Sequence, residues 1–339
     1  MNNPSSSLAI SSVQGLASKL HLRFRIQSVI GLALILGIAL IFSPTNSQGL
    51  VFLDAGNITD ILRQVSEIGI LSLAMTFVIL TGGIDLSVGS TLALSSSIVA
   101  LLVTRPLVAG SDFCAIAIAV LAAIVSTTLV GLANGVVIAR WSIQPFIVTL
   151  ASMIGIRGLA RWLTSNSNID IGFGTDLAAV FAKALSTKTV VIGSYVLLAV
   201  AFGIVLSKTV FGRRVRAVGD NEKAALYAGL PIRKIKVLVY VLSGMLAGYA
   251  GVLHAAQNHQ GSPNAGVTYE LEAIAAVVIG GTSLLGGRGS IGGTIIGTLI
   301  VGVLTNILRL NNVDSNLEMM LKAVIIVGAV WLQQRGKEQ

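Results

Sequence analysis

Long apolar runs separated by short polar segments make up most of the chain. A helix needs roughly 20 apolar residues, and sometimes only about 17, to cross the hydrocarbon core of a bilayer. Runs of this length predict an all-α polytopic membrane protein with about ten transmembrane helices and short broken or re-entrant segments. The predicted spans are residues 27–43, 58–81, 86–104, 113–139, 144–163, 189–207, 236–256, 269–285, 290–309 and 317–333.

The composition excludes a soluble globular protein. Hydrophobic residues make up 54% of the 339 residues and charged residues only 11%, whereas soluble domains have roughly 25% charged residues. The mean hydropathy is +0.87. The single cysteine, Cys114, excludes an internal disulfide framework and a cysteine metal cluster. The net charge of +9 comes from basic residues clustered in a few loops, a pattern typical of membrane proteins rather than of nucleic-acid-binding ones.

The basic residues also predict how the chain is oriented in the membrane. If the N-terminus is inside, the inner segments hold most of the 23 Lys and Arg residues, and the outer loops hold only Arg105, Lys183 and Lys188. This asymmetry predicts that both termini are cytoplasmic. The predicted organisation is one membrane domain over residues 27–335, with an inner loop at 208–235 and cytoplasmic tails at 1–26 and 336–339. We expect the first apolar run to be a retained helix, because its polar lead is too long for a signal peptide.

The stretch TGGIDLSVGS at residues 81–90 interrupts a hydrophobic segment with three glycines and one carboxylate, Asp85. Its glycine pair permits a turn or a break in the helix. Asp85 stands just before LSVGSTLAL, where it can act as the N-cap of the next helix. The alternatives are a direct role in a substrate pathway and a role in ion coupling. The similar sequence VIGGTSLLGGRGS at 278–290 gives a weak indication of an internal repeat.

Several kinds of chemistry are absent from the sequence. It has no G-x-x-x-x-G-K-[ST] motif for nucleotide binding and no H-E-x-x-H motif for zinc. His254 and His259 could form a metal pair, but no third ligand is evident. Only Glu67 and Asp85 are carboxylates placed deep within predicted spans, which is too few for a proton relay. If the protein is a transporter, we therefore expect its energy to come from another chain.

The inner loop contains a short predicted helix. Asp220 or Asn221 can act as its N-cap, Glu222 suits its first turn, and Gly229 followed by Pro231 ends it. Small residues at 224, 225, 228 and 229 predict a smooth face that fits a groove in a partner protein. The alternative is an ordinary amphipathic connector at the lipid headgroups.

These segments carry a family resemblance. E-x-A-A-x-x-x-G at 222–229 resembles the coupling-helix signature of ABC importer permeases. Five longer segments resemble the ribose/arabinose/xylose-type sugar permeases of bacteria and follow one another in the same order over most of the chain. They are AMTFVILTGGIDLSVGS, GLANGVVIARWSIQPFIVTLASMIGIRGLA, AVGDNEKAALYAGLPI, YVLSGMLAGYAGVL and YELEAIAAVVIGGTSLLGGRGSIGGTIIG.

The resemblance implies an ABC importer permease architecture in the bacterial inner membrane. It implies a second permease copy or paralogue, cytoplasmic ATPase partners that hold ATP and Mg, and a periplasmic binding protein that delivers a monosaccharide. This chain would bind no cofactor, no metal and no nucleic acid, and would not be an enzyme. The expected coupling-helix residues are Asn221, Glu222, Ala224, Ala225, Ala228, Gly229 and Pro231. Hydroxyl and amide side chains suit a sugar pathway, and the candidates are Thr81, Ser87, Ser90, Asn134, Gln144 and Thr282, together with the carboxylate of Asp85.

Three alternatives remain at this level. A permease of the same superfamily could carry branched-chain amino acids or nucleosides. A stand-alone secondary transporter would need an ion gradient, and a membrane scaffold would transport nothing.

Overall fold

The computed structural model describes residues 28–47, 49–106, 112–174 and 176–335, and these residues are mostly helical. The two predicted terminal tails, 1–26 and 336–339, lie outside the described residues. Two short antiparallel strand pairs and one 3-10 helix, Val51–Leu53, accompany the α-helices. The strands are β1 (Thr45–Asn46), β2 (Gly49–Leu50), β3 (Ile169–Asp170) and β4 (Gln260–Gly261), with β1 paired to β2 and β3 paired to β4. The helices are α1 (Ser28–Ile41), α2 (Ala55–Leu80), α3 (Val88–Thr104), α4 (Asp112–Trp141), α5 (Pro145–Leu163), α6 (Leu177–Leu185), α7 (Lys188–Lys208), α8 (Val210–Asp220), α9 (Glu222–Tyr227), α10 (Ile232–Asn258), α11 (Tyr269–Ile279), α12 (Ile291–Leu310) and α13 (Ser315–Arg335).

Six of these helices are long and apolar enough to cross a membrane, namely α2, α4, α5, α7, α10 and α12, while α1 and α3 are apolar but shorter. This confirms an all-α polytopic membrane protein, although not the predicted number of ten spans. The predicted span at 269–285 is wrong as a continuous helix. Helix α11 ends at Ile279, and its 11 residues rise only about 16 Å, roughly half of a bilayer core.

Glycines bring α4 and α10 into backbone contact, and this is the most extensive helix pair in the described structure. A side chain at Gly131 would overlap with the carbonyl oxygen of Tyr240, and one at Gly244 would overlap with the carbonyl oxygen of Thr127. Small residues at membrane helix interfaces allow such close approach. Because no side chain separates the two backbones, neither helix can shift here without moving the other.

Helices α3 and α11 begin against each other inside the bundle. Gly89, in the first turn of α3, packs on Gly266 and on the Glu270 side chain at the start of α11. The segment that leads into α11 is held by α5, because Arg157 donates to the carbonyl oxygens of Pro263 and Ala265. Helices α3 and α11, with 17 and 11 residues, are thus two short helices whose first turns meet inside the bundle.

The loops after α2 and α11 lie together at one end of the bundle. Both helices end in a Schellman motif, with Gly82 (φ 75°) and Gly281 (φ 90°) in the left-handed conformation. The backbone N–H of Gly287 donates to the carbonyl oxygen of Leu80 over 3.0 Å. The two similar sequences at 78–90 and 278–290 thus form two loops that touch each other.

Candidate functional site

The short helix α9 has well-defined ends. Asn221 is its N-cap, and the side-chain oxygen accepts a hydrogen bond from the N–H of Ala224 over 2.9 Å. At the other end Gly229 has φ 76°, and its N–H donates to Leu226 while that of Leu230 donates to Ala225. This is a Schellman motif, which requires a residue that tolerates positive φ. Pro231 follows as the N-cap of α10.

The exposed face of α9 differs from the predicted one. Ala225 is only 5% exposed and packs against this chain's own core, so it does not belong to an outward face. Leu226 and Tyr227 are instead 60% and 89% exposed, beside the exposed Ala224, Ala228 and Gly229. The outward surface therefore includes a large aliphatic and an aromatic side chain. Tyr227 is the one aromatic residue of α9, and this is the sequence signal that could have pointed to it as part of the outward surface.

A cleft of about 280 Å³ lies between α9 and the loop after α2. Its walls include Asn221 and Glu222 from the start of α9, the segment 81–83 from the loop, and Lys236 and Tyr240 from α10. The short inner helix and the TGGIDLSVGS stretch, which lie far apart in the sequence, thus line the same cleft. Of the pathway candidates, Thr81 lines this cleft.

Asp85 is the centre of a buried polar cluster. Its Oδ1 accepts from the N–H and the hydroxyl of Ser87, over 2.9 and 2.6 Å, and its Oδ2 accepts from the hydroxyl of Ser243 over 2.6 Å. The side-chain amide of Asn134 donates to the Ser87 hydroxyl over 3.1 Å. The cluster therefore ties the α2–α3 loop to α4 and α10. The N-cap of α3 is Ser87, so the prediction that Asp85 occupies the cap position is wrong by two residues.

The remaining pathway candidates lie in different environments. Ser90 is buried and its hydroxyl donates to the carbonyl oxygen of Ser87. Thr282 is buried in the second glycine-rich loop, where it packs against Gly289. Gln144 is exposed at the N-cap of α5 and makes no side-chain capping bond. The structure thus brings Asp85, Ser87, Ser90 and Asn134 together in a buried cluster, whereas Gln144 is exposed.

Helix α8 lies within the predicted inner loop at 208–235, where the sequence had not predicted it. Phe211, Val215 and Val218 are spaced four and three residues apart and face the core, a helical pattern obscured by the neighbouring arginines. Gly219, near the end of α8, packs directly on the carbonyl oxygen of Leu80 and on the backbone of Gly287. We call this contact of Gly219, Leu80 and Gly287 the glycine junction. It joins the inner loop to both glycine-rich loops.

Arg216 makes a second contact between α8 and the loop after α11. Its guanidinium donates to the carbonyl oxygen of Gly289 over 3.4 Å. Burial lowers the pKa of Arg216 from its usual value, and the nearby Asp220 carboxylate acts in the opposite direction. An arginine has so high a pKa in water that it stays cationic here.

The two histidines do not form a metal site. His254 Nδ1 lies 2.6 Å from Glu67 Oε1, whereas the His259 ring stacks on Phe173 at 4.0 Å between centroids. Among the described residues no three His, Cys, Asp or Glu side chains come together in a way that could hold a metal ion. Glu67 and His254 instead connect α2 to α10 inside the bundle.

Two substitutions distinguish hydrogen-bond acceptance from charge at Asp85. Asp85→Asn keeps an oxygen for the Ser87 donors, and the Ser243 hydroxyl can reorient to accept from the new amide, so we expect near-normal stability and uptake. Asp85→Ala leaves the three donors buried and unpaired, at about 1–3 kcal/mol for each. Thermal unfolding of the purified permease should therefore show a large loss of stability for Ala and a small one for Asn. Equal losses would contradict the role of Asp85 as the hydrogen-bond acceptor for Ser87 and Ser243.

Long apolar helices, two short helices that begin inside the bundle and an exposed short helix beside a cleft define a multi-pass membrane protein. The chain belongs to the family described as branched-chain amino acid transport system / permease component, which matches residues 57–330. Members of this family are permease components of ABC importers, and they are transport subunits rather than enzymes. Together with the apolar helices, this membership makes the chain a multi-pass inner-membrane protein.

Curated relatives match nearly the whole chain. The chain is 42% identical over 308 residues to the ribose import permease protein RbsC of Bacillus subtilis, which covers 90% of this chain and 91% of the relative. It is 40% identical to the ribose import permease protein RbsC of Escherichia coli K12, with coverage of 91% and 93%. The L-arabinose ABC transporter permease protein AraH of Azospirillum brasilense is 37% identical, with coverage of 85% and 83%. No solved structure matches the chain.

Proposed function

We propose that this chain moves a monosaccharide across the bacterial inner membrane as the permease subunit of an ABC importer, with energy from partner ATPase subunits. The observation that carries the proposal is α9, a short helix with both ends fixed and an exposed face, beside a cleft that reaches the α2–α3 loop. The identities to permeases named for ribose and L-arabinose favour a pentose or a similar sugar.

The coupling mechanism follows from this arrangement. Each ATPase receives the exposed face of α9, including Tyr227, in a surface groove and moves α9 when ATP binds. Asn221 and Gly229 keep the helix intact under load, since they satisfy backbone groups that would otherwise be free at its ends. The movement passes to the glycine junction and to the walls of the cleft, and the membrane helices switch between inward and outward openings.

Further partners follow from the same proposal. A second permease, identical or paralogous, completes the pathway, and a periplasmic binding protein delivers the sugar to the end opposite α9. Both termini and α9 then lie in the cytoplasm, where the exposed Arg213 and Arg214 beside α9 satisfy the positive-inside rule. Aromatic residues, which stack on sugar rings, are only 5% of the chain. Selectivity therefore resides mainly in the binding protein.

The two deep carboxylates, Asp85 and Glu67, are both engaged with partners inside the bundle, and this argues against ion coupling. Asp85 accepts three hydrogen bonds from Ser87 and Ser243, and Glu67 is paired with His254. Neither is left open toward the cleft, whose lining includes neither residue. An energy source on another chain fits this arrangement better than an ion relay.

The C-terminal end of α9 can be tested by substitution at Gly229. Space around this residue is open, so a new side chain meets no obstacle and acts only through its positive φ. A β-branched residue there costs about 1–2 kcal/mol, whereas asparagine tolerates this conformation. We expect Gly229→Val to reduce ATP-driven uptake roughly five- to thirtyfold and Gly229→Asn to retain most of it, with equal amounts of protein in the membrane. Unchanged uptake in Gly229→Val would remove α9 as the coupling element.

The substrate class can be tested by uptake in cells that lack their own pentose permeases. The chain would be expressed with its ATPase and binding protein, and accumulation of labelled ribose, L-arabinose, leucine and a nucleoside would be compared. We expect accumulation of a sugar alone. Accumulation of leucine or of the nucleoside alone would instead establish the other substrate classes of the superfamily.

A further inference from the structure

We infer that an ion pair between Glu222 and Lys236 fastens the coupling helix α9 to α10, so that α10 carries the movement of α9 to the buried Asp85 cluster. The inference rests on the proposed coupling function and adds to it a specific path through this chain. It makes Lys236 a positioning residue for transport, a role that neither the sequence motif nor the exposed face of α9 indicated.

The ion pair joins the first residue of α9 to the second turn of α10. Lys236 Nζ lies 2.8 Å from each carboxylate oxygen of Glu222, so one ammonium group contacts both oxygens. The Lys236 side chain is only 18% exposed, whereas that of Glu222 is 53% exposed. The lysine is therefore fixed in the wall of the cleft, and the glutamate is the part that moves with α9.

Lys236, Tyr240 and Ser243 lie on one face of α10, since their spacing of four and three residues places them one above the other. All three point toward the segment between α2 and α3. Lys236 and Tyr240 line the cleft, Tyr240 packs against Gly83, and the Ser243 hydroxyl donates to Asp85. One helix face thus runs from the coupling helix to the buried carboxylate.

Helix α10 is packed too closely against α4 to move alone. At Gly131 and Gly244 the backbones of α10 and α4 are in direct contact, so a displacement of α10 displaces α4. Helix α4 in turn holds the other side of the cluster, because Asn134 donates to the Ser87 hydroxyl. A movement of Lys236 therefore reaches the start of α3 from two sides. Close-packed interiors transmit such displacements rather than absorb them.

Charge reversal tests the ion pair directly. The permease, its ATPase and its binding protein would be reconstituted in liposomes, and sugar transported per ATP hydrolysed would be measured. We expect Glu222→Lys and Lys236→Glu each to lower this ratio about threefold or more, since like charges then face each other. The double reversal should restore most of the ratio, and Lys236→Arg should retain it. Assembly with the ATPase and basal ATP hydrolysis should stay unchanged in Lys236→Glu, because Lys236 lies in α10 and not on the exposed face of α9.

The matched control is Lys234→Glu, which changes the same charge at an exposed position in the first turn of α10, where the described structure shows no ion pair. We expect it to leave the ratio at the wild-type value. If either single reversal prevents assembly, Glu222→Gln and Lys236→Met remove the pair without introducing repulsion, and both should lower the ratio.

The outcomes separate this inference from the proposed function. Wild-type protein that shows no ATP-dependent uptake would refute the proposed function itself. Wild-type protein that transports, together with a normal ratio in Lys236→Glu and Lys236→Met, would overturn only the ion-pair path. A double reversal no better than the single ones, or an equal loss in Lys234→Glu, would also overturn it.

Discussion

Replacement of Gly219 by alanine is expected to abolish uptake and to lower the stability of the permease sharply. A Cβ atom at this position overlaps with the carbonyl oxygen of Leu80 and approaches the backbone nitrogen of Gly287 to 2.5 Å. Both obstacles are backbone atoms, so no side-chain rotation relieves the overlap. The hydrogen bond between Gly287 and Leu80 must break or α8 must move away, and either change opens the glycine junction. Overpacking of this kind costs about 1–3 kcal/mol or more.

The expected result can be measured as uptake in cells and as thermal unfolding of the purified subunit. Gly292→Ala is the matched control, because a Cβ atom there meets nothing within 4 Å and the residue lies in the first turn of α12, shortly after the same loop. We expect the control to behave as wild type in both measurements. If Gly219→Ala also matched wild type, α8 would not be in contact with the two glycine-rich loops.

A second large effect is expected where α4 and α10 meet. Gly131→Leu would drive a branched side chain into the backbone of α10 at Tyr240 and Gly244. Because both partners are backbone, the helices must separate, which removes the backbone contact between α4 and α10 and disturbs the Asn134–Ser87 bond. We expect a loss of folded protein, with destabilisation above about 3 kcal/mol. The amount of monodisperse protein after detergent extraction provides the measurement.

Gly193→Leu serves as the control for this change. Gly193 lies in α7, is exposed, and has nothing within 4 Å of a Cβ atom, so the same substitution adds volume without overlap. Normal yield for Gly193→Leu and a strongly reduced yield for Gly131→Leu are the expected pair of results. Equal yields would contradict the backbone contact between α4 and α10.

The sequence predicted features that depend on local physics. Hydropathy alone located the long helices, since a bilayer imposes both their length and their composition. The start of α9 was predicted to within one residue, at Asp220 or Asn221, and its end followed from Gly229 and Pro231, because capping is decided by a few adjacent residues. The break near Gly82 was predictable for the same reason.

Features that depend on distant contacts were not predictable. The sequence predicted a full span at α11 because the apolar sequence continues through Gly280 and Gly281. Glycine breaks a membrane helix only in some contexts. The partner of Asp85, Ser243, is 158 residues away along the chain. The burial of Ala225 and the exposure of Tyr227 are decided by how a six-residue helix docks, which its own sequence is too short to specify. The glycine junction forms only where Gly219, Leu80 and Gly287 come together from three separate segments, so none of these segments predicts it alone.

The central proposal for this protein is transport that a partner ATPase drives through α9. The most direct measurement uses liposomes that contain the permease and its ATPase, with the loaded binding protein added outside and ATP supplied on the ATPase side. We expect sugar accumulation that requires ATP, is stimulated by the binding protein, and is strongly reduced in Gly229→Val while ATP hydrolysis continues. Accumulation driven by an ion gradient in liposomes that hold this chain alone would contradict it.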